Sequence, residues 1–217
     1  MELGRPFLGN RTAAERDLKL NAVEKAAMNN PVRAAHQRTR EARWFGELAG
    51  GSLKGQTVLE IGCGRGVGTE VLLDRLGAAR VTAFDLDGDM VDKAKRRLSG
   101  RGDRVLSQGD ASAIEYPSRS FDAIADFGII HHVPEWQRAV AEIARVLRPG
   151  GLLLFEEVPR RMLDTWVFRT FTDHPRDNRF EAEEFTEELA RHGLHGVGRT
   201  VSRLKGLVFV GGARRTG

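Results

Sequence analysis

The residues with the most chemistry to offer are a glycine run and the acids and histidines spaced behind it. Glu60-Ile61-Gly62-Cys63-Gly64-Arg65-Gly66 places three glycines in five positions. Glycine there permits positive φ and lets a ligand lie against bare backbone, at an entropic cost to folding. The preceding Thr57-Val58-Leu59-Glu60-Ile61 reads as a short buried strand, and Val67 to Leu76 reads as a helix. A helix that begins in such a turn points unpaired N–H groups and its positive dipole end at the same space. The expected guest is small, partly anionic and nucleoside-like.

Three glycine loops fit that description, and the residue types separate them. A phosphate-gripping loop of the ATPase kind needs Lys and then Ser or Thr after its last glycine. Val67-Gly68 stands there instead. A dinucleotide fingerprint needs Gly-x-Gly-x-x-Gly or Ala. Either register here puts Val67 or Thr69 at the third position, so both miss. The remaining pattern, an acid two residues before Gly-x-Gly-x-Gly, resembles motif I of the class I S-adenosylmethionine-dependent methyltransferases.

Asp85 closes a second strand, Arg80 to Phe84, nineteen residues beyond Gly66. An acid at about that spacing meets ribose hydroxyls in dinucleotide folds. A carboxylate suits a vicinal diol because it accepts two hydrogen bonds at once. Either Asp87 or Asp89 can cap the helix Met90 to Leu98, which leaves Asp85 for the sugar. A third strand, Arg104 to Gln108, ends in Gly109-Asp110-Ala111. Further on, Phe121-Asp122 opens a strand that carries Asp126 and runs into His131-His132-Val133. A helix, Gln137 to Leu147, follows with apolar residues at helical spacing, and Arg148-Pro149-Gly150-Gly151 stops it. Leu152 to Phe155 forms a fifth apolar strand, closed by Glu156-Glu157.

Phe-Asp…His-His-Val…Glu-Ile-Ala-Arg-Val-Leu-Arg-Pro-Gly-Gly, in this order after the first three elements, resembles the small-molecule class I methyltransferases. These include the ubiquinone and menaquinone biosynthesis type and the methyltransferase type 11 domains. The match runs from about Thr57 to Val158. The resemblance implies an α/β, Rossmann-like, seven-stranded, mostly parallel sheet with an antiparallel last strand and helices on both faces. It implies S-adenosylmethionine as cofactor and S-adenosylhomocysteine as product. By position, Glu60 would hold the methionine ammonium. Gly62, Cys63, Gly64 and Gly66 would line the loop, and Asp85 with Leu86 the ribose. Asp110 would bond the adenine amine with help from the Ala111 backbone, and Asp126 would face the methionine or the acceptor.

The chemistry implied is methyl transfer from a sulfonium to a nucleophile. Most of that work is alignment, and a general base is needed only where the accepting atom loses a proton early. His131 is the leading base candidate, with His132 and Asp126 behind it. Glu157, at the end of the fifth strand, reads as an exposed turn acid ahead of the alternative that it approaches the substrate. Adjacent histidines without further ligands are poor metal geometry, so no metal is expected.

Composition agrees with one core: 217 residues, 41% hydrophobic and 29% charged. No run approaches the ~20 apolar residues of a membrane span, and the amino terminus shows no apolar signal segment. Cys63 is the one cysteine, which fits a reducing cytoplasm. Its place in the loop invites a nucleophile reading, but no partner base is evident. The pI of 9.6 accompanies a net charge of only +4, and 28 of the 34 basic residues are arginine, a composition bias as readily as a nucleic-acid signal. No zinc knuckle or aromatic RNA motif is present.

Residues 1–50 read as a helical cap on a domain spanning 51–217. Thr12-Ala13-Ala14-Glu15 is a capping box for a helix toward Ala27. Asn30-Pro31 opens a second helix to Ala49, docking through Val32, Ala35, Ala42, Phe45, Leu48 and Ala49. Residues 159–180 read as an aromatic substrate lid or as an interaction surface at a dimer or membrane face. Glu181 to His192 is the last helix, followed by paired strands at Val197 to Arg203 and Leu207 to Gly212. The leading function is methylation of a small hydrophobic or aromatic molecule. The alternatives are a cofactor-binding regulator without turnover and an RNA methyltransferase. A small-molecule acceptor is the expected partner, and a homodimer is compatible with the pattern.

Overall fold

The structure, a computed structural model of the chain, describes residues 30–166 and 177–217. The helices are α1 (Pro31–His36), α2 (Ala42–Leu48), α3 (Val67–Asp74), α4 (Gly88–Arg97), α5 (Trp136–Val146), α6 (Arg160–Leu163) and α7 (Ala182–Arg191). The strands are β1 (Thr57–Ile61), β2 (Arg80–Asp85), β3 (Arg104–Gln108), β4 (Phe121–Phe127), β5 (Leu147–Glu157), β6 (Leu194–Gly196), β7 (Val201–Arg203) and β8 (Val208–Arg215). They form one sheet in the order β3-β2-β1-β4-β5-β8-β6, with β7 also paired to β8. The first five strands run parallel, and β8 enters antiparallel to β5. The expected architecture is therefore present with eight strands rather than seven, because the tail splits into β6 and β7, both antiparallel to β8.

Strands buried on both faces explain the continuous apolar runs of β1, β4 and β5. Successive side chains alternate between faces. Leu59, Ile124, Leu153, Phe155 and Phe209 pack with α5 and α7 residues such as Ile143 and Phe185. Val58, Ala123, Leu154 and Val210 pack on the other face with Phe45, Val71 and Leu72. The same alternation sends Glu156 and Glu157 to opposite faces. Both are buried, Glu157 completely, so the reading of Glu157 as an exposed turn acid is corrected.

Two boundaries differ from expectation. β5 begins at Leu147, before Arg148-Pro149-Gly150-Gly151, because Leu147 pairs with Phe121 and the register shifts before Ala123 meets Leu152. At the amino-terminal side, Asn30 caps α1 by accepting from the Arg33 N–H at 2.8 Å, with Pro31 in the first turn. Between α1 and α2 lies a π-helical turn, Gln37–Glu41. It rotates the docking face: Ala34, Glu41, Ala42, Trp44 and Phe45 are buried, whereas Val32 is 79% exposed. The expected helix from Thr12 toward Ala27 and the 167–176 part of the expected lid lie outside the described residues. Among the described residues no helix is long and apolar enough to cross a membrane.

Candidate active site

The glycine turn between β1 and α3 has left-handed backbone at Gly62, Gly64 and Gly66. Gly62 has φ of 68°, and a Cβ there would lie 2.2 Å from Ile129 Cγ1. Gly64 has φ of 51°, and a Cβ there would meet nothing within 4 Å. One glycine therefore serves packing, and the other borders open space. The Gly64 N–H donates to Asp85 Oδ2 at 2.8 Å, and the Asp87 N–H donates to Oδ1 at 2.9 Å. Asp85 thus ties the glycine turn to the end of β2. Asp87, not Asp89, caps α4. Leu86 is half-buried, and its carbonyl accepts from Gln108 Nε2 at 3.0 Å.

Asp110 follows β3, half-buried, and its Oδ1 accepts from both the N–H and the hydroxyl of Ser112 at 2.8 Å. Ala111 is buried beside it. Gly64, Asp85 and Asp110 therefore stand at the carboxyl ends of three neighbouring strands, where open α/β sheets bind their ligands. Glu60 lies deeper. It is 1% exposed and accepts from the Thr69 hydroxyl. Burial pushes its carboxyl up to about 8, with the Asp85 charge adding to the rise and the Thr69 bond opposing it. Cys63 is buried and its thiol is pushed well up by burial, so it is held neutral rather than activated.

The second half of the site gathers at the ends of β4 and β5. The His131 Nδ1 lies 2.5 Å from Glu157 Oε2, with both side chains nearly inaccessible. Glu157 also accepts from the N–H groups of Ile130 at 2.7 Å, His131 at 3.3 Å and Val158 at 3.3 Å. Asp126 is fully buried and accepts from the Ile129 N–H at 2.9 Å. Burial and the neighbouring Glu157 charge hold Asp126 well above the usual carboxylate range, and the two acids are hydrogen-bonded to one another. Glu157 itself is raised to about 7 by burial, against these hydrogen bonds. The His132 ring lies 4.2 Å from that of His131.

Of the sequence candidates, Gly62, Gly64, Gly66, Asp85, Leu86, Asp110 and Ala111 line one edge of the sheet. Asp126 and His131 join a separate buried chain, Asp126–Glu157–His131. Its middle member was missed. The signal was present in the alternation, since Glu157 continues the inward face of Leu153 and Phe155.

The methyltransferase-domain family profile matches residues 59–155, from β1 into β5. The core of the chain is thus similar to a methyltransferase domain. S-adenosylmethionine is the methyl donor of that family, and the open backbone at Gly64 beside Asp85 fits a nucleoside sugar. The domain is 36% identical over 124 residues to the fatty-acid O-methyltransferase of Mycolicibacterium smegmatis, covering 57% of this chain and 44% of that protein. It is 35% identical over 115 residues to the phthiotriol/phenolphthiotriol dimycocerosates methyltransferase 1 of Mycobacterium ulcerans, covering 52% and 42%. The matches thus span less than half the length of these relatives. In fold it is similar to the N-methyltransferase NodS of Bradyrhizobium japonicum, solved with S-adenosyl-L-homocysteine. That likeness has a TM-score of 0.67 at 20% identity and covers 93% and 95% of the two chains.

Proposed function

We propose that the protein transfers a methyl group from S-adenosylmethionine directly to a hydrophobic small molecule bearing a hydroxyl or carboxyl group. The observation that carries this reading is the junction of Gly64 and Asp85: a carboxylate 2.8 Å from a glycine N–H, beside backbone open to a ligand. In this reading Asp85 and Leu86 hold the ribose, Asp110 and Ala111 the adenine, and the glycine turn the methionine end, with Glu60 behind it. The likeness to enzymes named for fatty-acid and phthiotriol acceptors supports a hydrophobic substrate. The buried, neutral Cys63 suits a cytoplasmic setting.

The bound donor supplies an electrophilic methyl group on sulfur. The chain's own residues orient the acceptor and take its proton. Glu157 accepts the His131 Nδ1 proton and so fixes the tautomer, leaving Nε2 as the basic nitrogen. His131 Nε2 then receives the proton of a hydroxyl acceptor as the new O–C bond forms. A carboxylate acceptor has no proton to lose and needs only alignment.

The test is transfer of labelled methyl from S-adenosylmethionine to long-chain fatty acids and to long-chain secondary alcohols. Label in the organic extract, absent with Asp85→Ala, supports the proposal. A chain that binds the donor yet labels neither class contradicts it and favours a binding protein without turnover.

A further inference from the structure

On the sheet face opposite His131, the acids and the one imidazole under the amino-terminal helix converge without a donor for every oxygen. His36 Nε2, one carboxylate oxygen of Glu41 and one of Glu156 all lie within 4.8 Å of one another. Glu41 is fully buried and Glu156 is 5% exposed. Among the described residues, Glu41 Oε2, Glu156 Oε2 and His36 Nε2 are buried atoms that receive no N–H or hydroxyl hydrogen bond. Among the described residues, Arg33 is the cation paired with these groups: its Nη1 pairs with Glu41 Oε1 while Nη2 donates to the Phe127 carbonyl at 3.2 Å. Nη2 stays 3.9 Å from Glu156 Oε1, too far for a full hydrogen bond. Burial pushes the Glu41 carboxyl up to about 8 and it hydrogen-bonds Glu156, so the two buried acids share one guanidinium and one proton, and an imidazole nitrogen 3.4 Å from Glu41 Oε1 joins them.

The backbone is shaped for this convergence. Residues five apart in an ordinary α-helix point about 140° away from each other. The π turn Gln37–Glu41 instead carries an i→i+5 bond, from the Ala42 N–H to the Gln37 carbonyl. That wider turn brings His36 and Glu41 to one side. Such single π turns occur often at functional sites. The edge of Trp44 packs against the His36 ring, with centroids 5.6 Å apart, and fixes its direction.

We propose that His36, Glu41 and Glu156 form a binding site for a divalent first-row transition metal, which clamps the π turn of the amino-terminal segment to the carboxyl end of β5. One imidazole and two carboxylates are a familiar donor set for zinc and its neighbours. Metal–ligand bonds of about 2.1 Å require the three donors to draw slightly closer than 4.8 Å. The Arg33 guanidinium, on the first helical turn and 17% exposed, swings aside as the ion enters.

The experiment is calorimetric titration of Zn²⁺ into the metal-free full chain, with thermal unfolding in parallel. One equivalent should bind and raise the unfolding temperature, as any ligand of the folded state does. His36→Gln and Glu156→Gln should each weaken binding roughly tenfold or more, while His195→Gln, an exposed histidine on β6, should leave it unchanged. His36 has a side chain 19% exposed, so its variant tests the site even if Glu156→Gln fails to fold. Arg33→Ala, which removes the competing cation, should tighten binding. The proposal is overturned if the chain takes up no stoichiometric Zn²⁺, if His36→Gln binds as the parent does, or if Arg33→Ala binds no more tightly.

Discussion

His131 Nδ1 sits 2.5 Å from Glu157 Oε2, across the ends of two parallel strands and 26 residues apart in the chain. Glu157 simultaneously receives the N–H groups of Ile130 and His131, so one carboxylate fixes both the ring and the turn that carries it. Asp126, raised by burial, hydrogen-bonds the same carboxylate. His131 is thereby a buried, oriented imidazole rather than a mobile surface histidine.

Removing the base should separate chemistry from binding. With a hydroxyl acceptor, His131→Gln should lower kcat by about 10²–10⁴-fold while leaving the affinity for S-adenosylmethionine within a factor of a few. With a carboxylate acceptor the same variant should lose little. Steady-state kinetics on matched alcohol and acid substrates measures both. An equal loss on the two would assign His131 to packing.

Glu157→Gln should behave differently, because an amide offers one acceptor where the carboxylate offers two. At least one of the N–H groups now bound, at Ile130, His131 or Val158, would lose its partner, at a cost of about 1–3 kcal/mol. Denaturant unfolding should register that loss. In the kinetics, kcat should fall with little change in KM for the methyl donor.

The glycine turn offers a contrast between neighbours. An alanine at Gly62 would collide with Ile129 at a left-handed φ, so Gly62→Ala should destabilise the fold by about 1–3 kcal/mol. Adding Ile129→Ala should restore part of that. Gly64→Ala meets open space. It should cost about 1–2 kcal/mol of backbone strain but weaken S-adenosylmethionine binding more than Gly62→Ala does. Unfolding and calorimetry on the pair distinguish the two roles.

Glu60 predicts a pH dependence of stability. Its carboxyl is raised in the folded chain to about 8 by burial, above the ordinary unfolded value. Below the unfolded value both states are protonated, and stability is undiminished. As pH rises from that unfolded value toward about 8, the unfolded chain gives up a proton that the buried acid keeps, and stability falls by on the order of a few kcal/mol before levelling off above about 8. Glu60→Gln should remove that fall. Denaturant midpoints of parent and variant should therefore diverge between pH 5 and pH 8.5, the variant gaining at the alkaline end. Parallel pH curves would contradict the assignment.

The β1–glycine–α3 unit, Asp85 and α5 were legible in the sequence because each depends on local patterning, whether apolar period, turn residues or a cap. Partnerships across the sheet were not. Glu157 resembled any acid at a strand end until the register of β4 against β5 set it under His131. Glu41 lay in an arginine-rich stretch with no apolar signal, and only a π turn, invisible to a 3.6-residue period, buries it. Leu147 was assigned to a helix end because its strand pairing with Phe121 is non-local.

The account rests most directly on Asp85 holding the donor's sugar. Calorimetry of S-adenosylmethionine with the parent chain and with Asp85→Ala is the deciding measurement. Micromolar, one-to-one binding by the parent and at least ~10-fold weaker binding by the variant is the predicted result. Equal affinity in the two, with both folded, would contradict it.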